Sequence, residues 1–347
     1  MADDRAMTRQ VARAALSVLT PILTVGAMFV LVDHLYGFHR LSTALDQAHI
    51  RFLAPVLLLG IADQLLRARR AQFLLSAEKA VSLSASYGAM VVGHGVGDML
   101  PLVPGGLALR SVLTYRLGRV PVAFAAGAYM LEGLFDGLGP ALLAAYLLLA
   151  LAAPAWTRWV LLGALLQSAL LLLPILLRRL APALHAGCAR RPHLTSLLAT
   201  TDRLTSGLRA LTTRGWRSTV AIIAFSLAIT AVAALQLALF LRAFSLHASA
   251  RDMLLVLVLT MVSGSLPIKL PGFGTLTAVV VLPAAGVHGP GLAAYVLISR
   301  AVQTSQTPFL AACLLGWWAM TGNRAVAILG DLRRFYAHAA GVPASTS

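Results

Sequence analysis

Six long apolar runs constrain this chain before any other feature does. They fall at about 14–35, 50–66, 121–151, 156–177, 218–241 and 292–318. About 20 apolar residues in a helix cross the roughly 30 Å hydrocarbon core of a bilayer. The run at 50–66 is short, and its neighbours support its reading as a span. Two more regions, 80–119 and 252–287, are equally oily but interrupted. The first is broken by LPLVPGG, Leu100 to Gly106, and the second by LPIKLPGFG, Leu266 to Gly274. The 347 residues are 59% hydrophobic and only 12% charged, against about 25% charged in soluble domains. The short alternating segments of a membrane β-barrel are missing. The expected class is an all-α polytopic membrane protein.

Net charge is +16, but its distribution does not suggest nucleic-acid binding. Of the 28 lysines and arginines, all but Lys79 and Lys269 are arginine, and most lie between the apolar runs. Positive charge there fixes topology and meets anionic headgroups. The two cysteines, Cys188 and Cys313, have no motif spacing, so neither a disulfide framework nor a cysteine metal site is expected. The N-terminal run follows a basic flank without a small-residue cleavage site, so it reads as an uncleaved signal anchor.

Arginine placement also sets the topology. Eight arginines lie between Arg178 and Arg217, and the positive-inside rule puts that basic loop, 178–217, in the cytoplasm. The N-terminus, with Arg5, Arg9 and Arg13, belongs there too, as does a loop carrying Arg67, Arg69, Arg70 and Lys79. From that loop, spans 121–151 and 156–177 return the chain to the cytoplasm only if 80–119 does not cross. The same logic keeps 252–287 from crossing, so that the tail with Arg324, Arg333 and Arg334 ends inside. Each interrupted region is therefore predicted to be a re-entrant hairpin, entered from opposite sides. The chain then reads as about six spans plus two re-entrant hairpins in an inverted repeat. The first repeat is 1–153 with hairpin 80–119. The second is 154–322 with hairpin 252–287, and a basic cytoplasmic tail follows at 323–347.

The hairpin breakers are Pro101, Pro104, Gly105 and Gly106 in the first, and Pro267, Pro271, Gly272 and Gly274 in the second. Irregular backbone at membrane depth is tolerated only where protein or a wet cavity satisfies its freed groups. A half-helix starting after either break turns its positive N-terminal end toward the midplane, where an anion is stabilised.

Only 12 residues are acidic, and those within oily segments are costly unless paired or wet. Glu132 and Asp136 are four apart and share one helix face, as do His94 and Asp98 in the first hairpin. Asp63 is expected near the end of the second span. The basic candidates are Arg110, Lys269 and Arg300. Two readings stand for Glu132 and Asp136. One is buried salt bridges that lock helices, with Arg110 and Arg300 as partners. The other is a proton relay or a headgroup contact. His94 reads as a packing or hydrogen-bonding residue, or with Asp98 as part of a relay. Arg110 can also snorkel to the interface.

GHGVG, Gly93 to Gly97, lacks the spacing and the preceding strand of a dinucleotide loop. Its glycines, and the pair Gly133 and Gly137, are expected to permit close helix packing. No catalytic triad, metal spacing or phosphate loop stands out, so no catalytic residue, metal or cofactor is assigned. The loop at 178–217 reads as an amphipathic surface helix or a solvated linker.

The order of these pieces resembles the lysylphosphatidylglycerol-synthase transmembrane family, also called the flippase-like domain family. LPLVPGGLALR matches its first motif, LEGLFDG its second, and LPIKLPGFGTLT its third, followed by Gly286-Val287 and Arg300. The likeness runs over nearly the whole chain. Val103 and Gly106 stand where the family has Arg and Glu, the first motif's last Arg is displaced to Arg110, Gly133 replaces an Arg, and Thr277 replaces a Glu. Glu132, Asp136 and Arg300 carry over, and the departures suit a divergent branch such as the hopanoid-associated members. The family's aminoacyl transfer resides in a separate soluble domain that these residues do not contain.

The resemblance implies lipid translocation or lipid trafficking, not lysyl transfer. The reading adopted is lipid translocation in a bacterial inner membrane, with both termini cytoplasmic as the arginines place them. Arg110, Lys269 and Arg300 would hold a polar or anionic headgroup, balanced by Glu132 and Asp136. Membrane lipids are the expected partners, along with lipid-synthesis enzymes, and nucleic acid is not. Three rivals remain: a secondary transporter of a small solute, a membrane-embedded lipid-modifying enzyme, and an accessory subunit of a lipid-synthesis complex. A lateral opening toward the bilayer, or a positioned acid–base pair, would separate them.

Overall fold

A computed structural model describes residues 48–99, 105–150, 216–265 and 290–321, with further positions at 158, 162, 279, 281–284 and 287. The expected spans at 14–35 and 156–177, residues 178–215 of the basic loop, and the tail at 323–347 lie outside them, but for residues 158 and 162. So do Lys269 and every breaker except Gly105 and Gly106.

A short 3-10 turn, Ile50–Phe52, leads into helix α1, Leu53–Leu75. Ser76 closes α1, its amide and hydroxyl both donating to the Gln72 carbonyl. This corrects the sequence expectation. The second span does not stop near residue 66, and Arg67, Arg69 and Arg70 lie on its last turns rather than in a loop. Asp63 accordingly sits in mid-helix, not at the end. Only Lys79 belongs to the connection.

Helices α2, Leu83–Met99, and α3, Gly105–Gly118, occupy the first interrupted region. Ser82 caps α2 by accepting the Ala85 amide at 3.2 Å. The two helices run antiparallel, since Val81 faces Gly118 at one end and His94 meets Arg110 toward the other. Helices α2 and α3 are thus the two arms of a hairpin, and α3 starts at Gly105. Arg119 ends it in a left-handed conformation, φ 56°, before Pro121 prevents continuation.

The run at 121–151 forms α4, Val122–Asp136, and α5, Leu138–Ala150, with a turn at Gly137 between them. Helix α6, Trp216–Ala243, has 28 residues, about 42 Å of helix. The stretches Val122–Leu149 and Trp216–Ala243 are long and apolar enough to cross a membrane. Helix α7, Ala250–Ser265, opens the second interrupted region and is capped by Ser249, which accepts the Asp252 amide at 3.2 Å. Helix α8, Pro290–Thr321, carries Pro308 inside it. The described residues are helical throughout, apart from the turns between elements.

Packing crosses between the halves of the chain. Helix α1 lies along α6, α2 along α8, and α7 along α5. One apolar cluster joins Val56, Phe240, Leu255, Leu292 and Leu147, and another joins Ala71, Met90, Ala128 and Ile222. In lipid, helices associate through close contact rather than water exclusion, which favours small residues at interfaces. Gly95 fits this rule: a Cβ there would come within 2.8 Å of the Ala311 Cβ on α8. Gly133 does not, because a Cβ there would meet nothing within 4 Å. The packing role expected of Gly133 is therefore withdrawn. Large apolar side chains such as Trp216, Leu149 and Met320 stand outward, up to 87% exposed, as suits a surface that faces acyl chains.

Candidate functional site

Charged side chains from three helices, with His94 from a fourth, join into one chain of contacts. On α1, Arg67 Nε donates to Asp63 Oδ2 at 2.8 Å, and its Nη1 reaches Asp136 Oδ2 on α4 at 3.1 Å. One turn on, Arg70 Nη2 donates to Asp136 Oδ1 at 2.7 Å and to Glu132 Oε1 at 3.0 Å. Arg70 Nη1 also donates to the Ser226 hydroxyl of α6 at 2.9 Å. Glu132 Oε2 then accepts from Arg110 Nη2 of α3 at 2.5 Å. Arg110 Nη1 contacts His94 Nε2 of α2 at 3.2 Å, where the imidazole nitrogen acts as acceptor to an obligate donor.

The helical periods explain the arrangement. Asp63, Arg67 and Arg70 recur at intervals of four and three, so they form one stripe along α1. Glu132 and Asp136 form a matching stripe on α4. Three guanidinium groups thus meet three carboxylates, and the cluster is balanced in formal charge. Its centre is dry, with Arg70 fully buried and Glu132 3% exposed. Arg110 does not snorkel. It is buried, with its guanidinium carbon 3.9 Å from the centre of the Tyr129 ring, and the Tyr129 hydroxyl is held by Thr114 at 2.6 Å. Gly93 makes room for it, because a Cβ there would collide with the Arg110 Cγ.

Of the residues singled out from sequence, the structure brings Asp63, Glu132, Asp136, Arg110 and His94 together. Asp98 lies on α2 and Arg300 on α8, with side chains outside the described ones. Arg67 and Arg70 were missed. The available signal was their spacing with Asp63, which puts all three on one face of an extended helix.

Beside this cluster lies a cavity of about 200 Å³ between α1, α6, α7 and α8. Asp63 belongs to both, so the network ends at the cavity wall. Gln64, Gln236, Thr260, Tyr295, Gln306 and Thr307 supply the rest of its polar lining. The Gln236 and Gln306 amides donate to the carbonyls of Val56 and Leu57 at 3.1 and 2.9 Å, stitching α6 and α8 to the backbone of α1. Gly60 permits that approach, since a Cβ there would strike the Gln306 amide. Tyr295 is set by an edge-on contact with Phe240, their ring centres 6.3 Å apart. Among the described residues, no group of histidine, cysteine or carboxylate side chains is arranged to hold a metal.

Comparison with known proteins gives one family. The family model described as the lysylphosphatidylglycerol synthase TM region matches residues 11–312. No curated protein and no solved structure matches the chain.

Proposed function

We infer the function from a premise that the match supplies: the chain belongs to the lysylphosphatidylglycerol synthase transmembrane-region family. It is accordingly a membrane protein of lipid-related function. Our reading is that it moves an amphiphilic lipid between leaflets of a bacterial inner membrane, with both termini cytoplasmic, and neither makes nor breaks a covalent bond.

The observation that carries this reading is the reciprocal packing. The first hairpin arm, α2, lies on α8, the last expected span of the second half. The second hairpin arm, α7, lies on α5, at the end of the first half. The corresponding second spans, α1 and α6, lie on each other. An inverted repeat calls for this exchange, because a two-fold axis in the membrane plane carries each contact into its counterpart. The polar cavity opens where α1, α6, α7 and α8 converge. A headgroup would occupy it while the acyl chains stay in the bilayer.

In this reading the ion network is a strut. It holds α1 to α4 and to the first hairpin while neighbouring elements move. Arg110 turns Nη2 to Glu132 and Nη1 to His94, so in this reading it serves the strut rather than the headgroup. Lys269 and Arg300 stay assigned to headgroup contact, as hydrogen-bond donors to a polar headgroup outside the described cavity lining. The test is leaflet exchange of a fluorescent phospholipid in liposomes holding the purified protein. Exchange well above that of protein-free liposomes supports the reading, and exchange at the protein-free rate rejects it.

A further inference from the structure

We propose that the cavity between α1, α6, α7 and α8 selects an uncharged, hydroxyl-rich headgroup, such as a sugar or polyol, over an anionic or cationic one. The proposal rests on the lipid-handling reading above and adds the chemical class of its ligand.

The lining decides the class. Asp63 spends Oδ2 on Arg67 at 2.8 Å, which leaves Oδ1 as an acceptor. Its neighbour Gln64 lines the same cavity and has its Oε1 buried with no hydrogen-bond partner. A buried polar atom of that kind is costly unless a ligand or water completes it. Gln236 and Gln306 have turned their NH2 groups to carbonyls of α1. A carbonyl can only accept, so the orientation of each amide follows, and its oxygen remains as a further acceptor. The described lining therefore asks for hydrogen-bond donors.

A phosphate brings only acceptors to a described lining whose open groups are mostly acceptors themselves. An ammonium brings donors, but Asp63 is already answered by Arg67 within a cluster of balanced charge, so an ion of either sign would enter without a counter-charge from the described lining. A hydroxyl group meets neither obstacle. It donates to Asp63 and Gln64 and accepts in turn from the hydroxyls of Tyr295 and Thr307. The volume, about 200 Å³, equals several waters at about 30 Å³ each, enough for a headgroup but not for two acyl chains.

The test uses the full chain in detergent and three dioctanoylglycerol probes that differ only in the headgroup: glucose, phosphate or a primary ammonium. Native mass spectrometry gives each dissociation constant. The glucosyl probe should bind at least about tenfold more tightly than either charged probe. Gln64→Leu should weaken it about three- to tenfold, the range of one lost neutral hydrogen bond, and leave the other two unchanged. Tyr295→Phe removes a single oxygen and should also weaken the glucosyl probe, so it carries the test if Gln64→Leu does not fold. Tighter binding of the phosphate or ammonium probe, or glucosyl binding unchanged in the folded variants, overturns the proposal. Binding is read without leaflets. Selective glucosyl binding with no leaflet exchange would sustain this inference while rejecting translocation, and exchange with phosphate-selective binding would do the reverse.

Discussion

Arg70 on α1 and Glu132 on α4 meet at 3.0 Å with neither side chain more than 3% exposed. Glu132 also serves Arg110, so one carboxylate answers two buried guanidinium groups. Breaking a buried pair from one side typically costs about 3–5 kcal/mol, because the survivor remains uncompensated. Glu132→Gln should therefore lower unfolding stability by about that amount in detergent. Asp136→Asn should cost less, since Asp136 is 29% exposed and water can screen the change. A stable Glu132→Gln protein with no leaflet exchange would move Glu132 from strut to transport.

Arg70→Lys tests the geometry at constant charge. The guanidinium fork reaches Glu132, Asp136 and Ser226 together. A lysine offers one compact ammonium on a flexible stem and cannot reproduce three fixed directions. The expected loss is about 2 kcal/mol or more, the scale of one hydrogen bond to a charged group. Thermal unfolding beside the parent protein would measure it, and an unchanged midpoint would show that charge alone suffices.

Two glycine substitutions should act in opposite directions. Gly93→Ala drives a methyl group into Arg110, and overpacking of this kind costs about 1–3 kcal/mol. Gly133→Ala meets open space within a helix and should stabilise by about 0.5–1 kcal/mol. Denaturant unfolding of both variants decides the matter. Equal effects would mean that the Gly93 approach to Arg110 is not a tight one.

The end of α6 offers a gain of stability. Ser245 has φ 54°, its amide donates to Arg242, and the Leu246 amide donates to Leu241. This is a Schellman closure whose left-handed position usually belongs to glycine. Ser245→Gly should relieve part of the side chain's steric cost there, raising stability by about 0.5–1 kcal/mol. A lower unfolding midpoint would contradict that geometry.

Topology can be tested in intact cells. After Cys188 and Cys313 are replaced, cysteines placed at 185–210 and near Arg333 should resist an impermeant reagent. Cysteines at 245–250 and 287–290 should react with it. External labelling at 185–210 would end the arrangement of six spans and two hairpins.

Much of the architecture was legible because it depends on local rules. The length of an apolar run sets whether it can span, and clustered prolines and glycines mark where a helix breaks. Those rules located α6 and α8 and both arms of the first hairpin. A four-residue interval put Glu132 and Asp136 on one face without knowledge of any partner. The partners were another matter. Arg67 and Arg70 have the look of a cytoplasmic flank, since arginines after an apolar run read the same whether they meet water or a buried carboxylate. What distinguishes the two cases is α4, more than 60 residues away in the chain, brought alongside α1 with its acidic face inward. The cavity likewise has no sequence signature, because its walls come from four helices and its polar character from glutamines that are unremarkable one at a time. Helix formation is a property of neighbours in the chain. Charge pairing and the space between helices are properties of neighbours in three dimensions, and only the tertiary structure decided them.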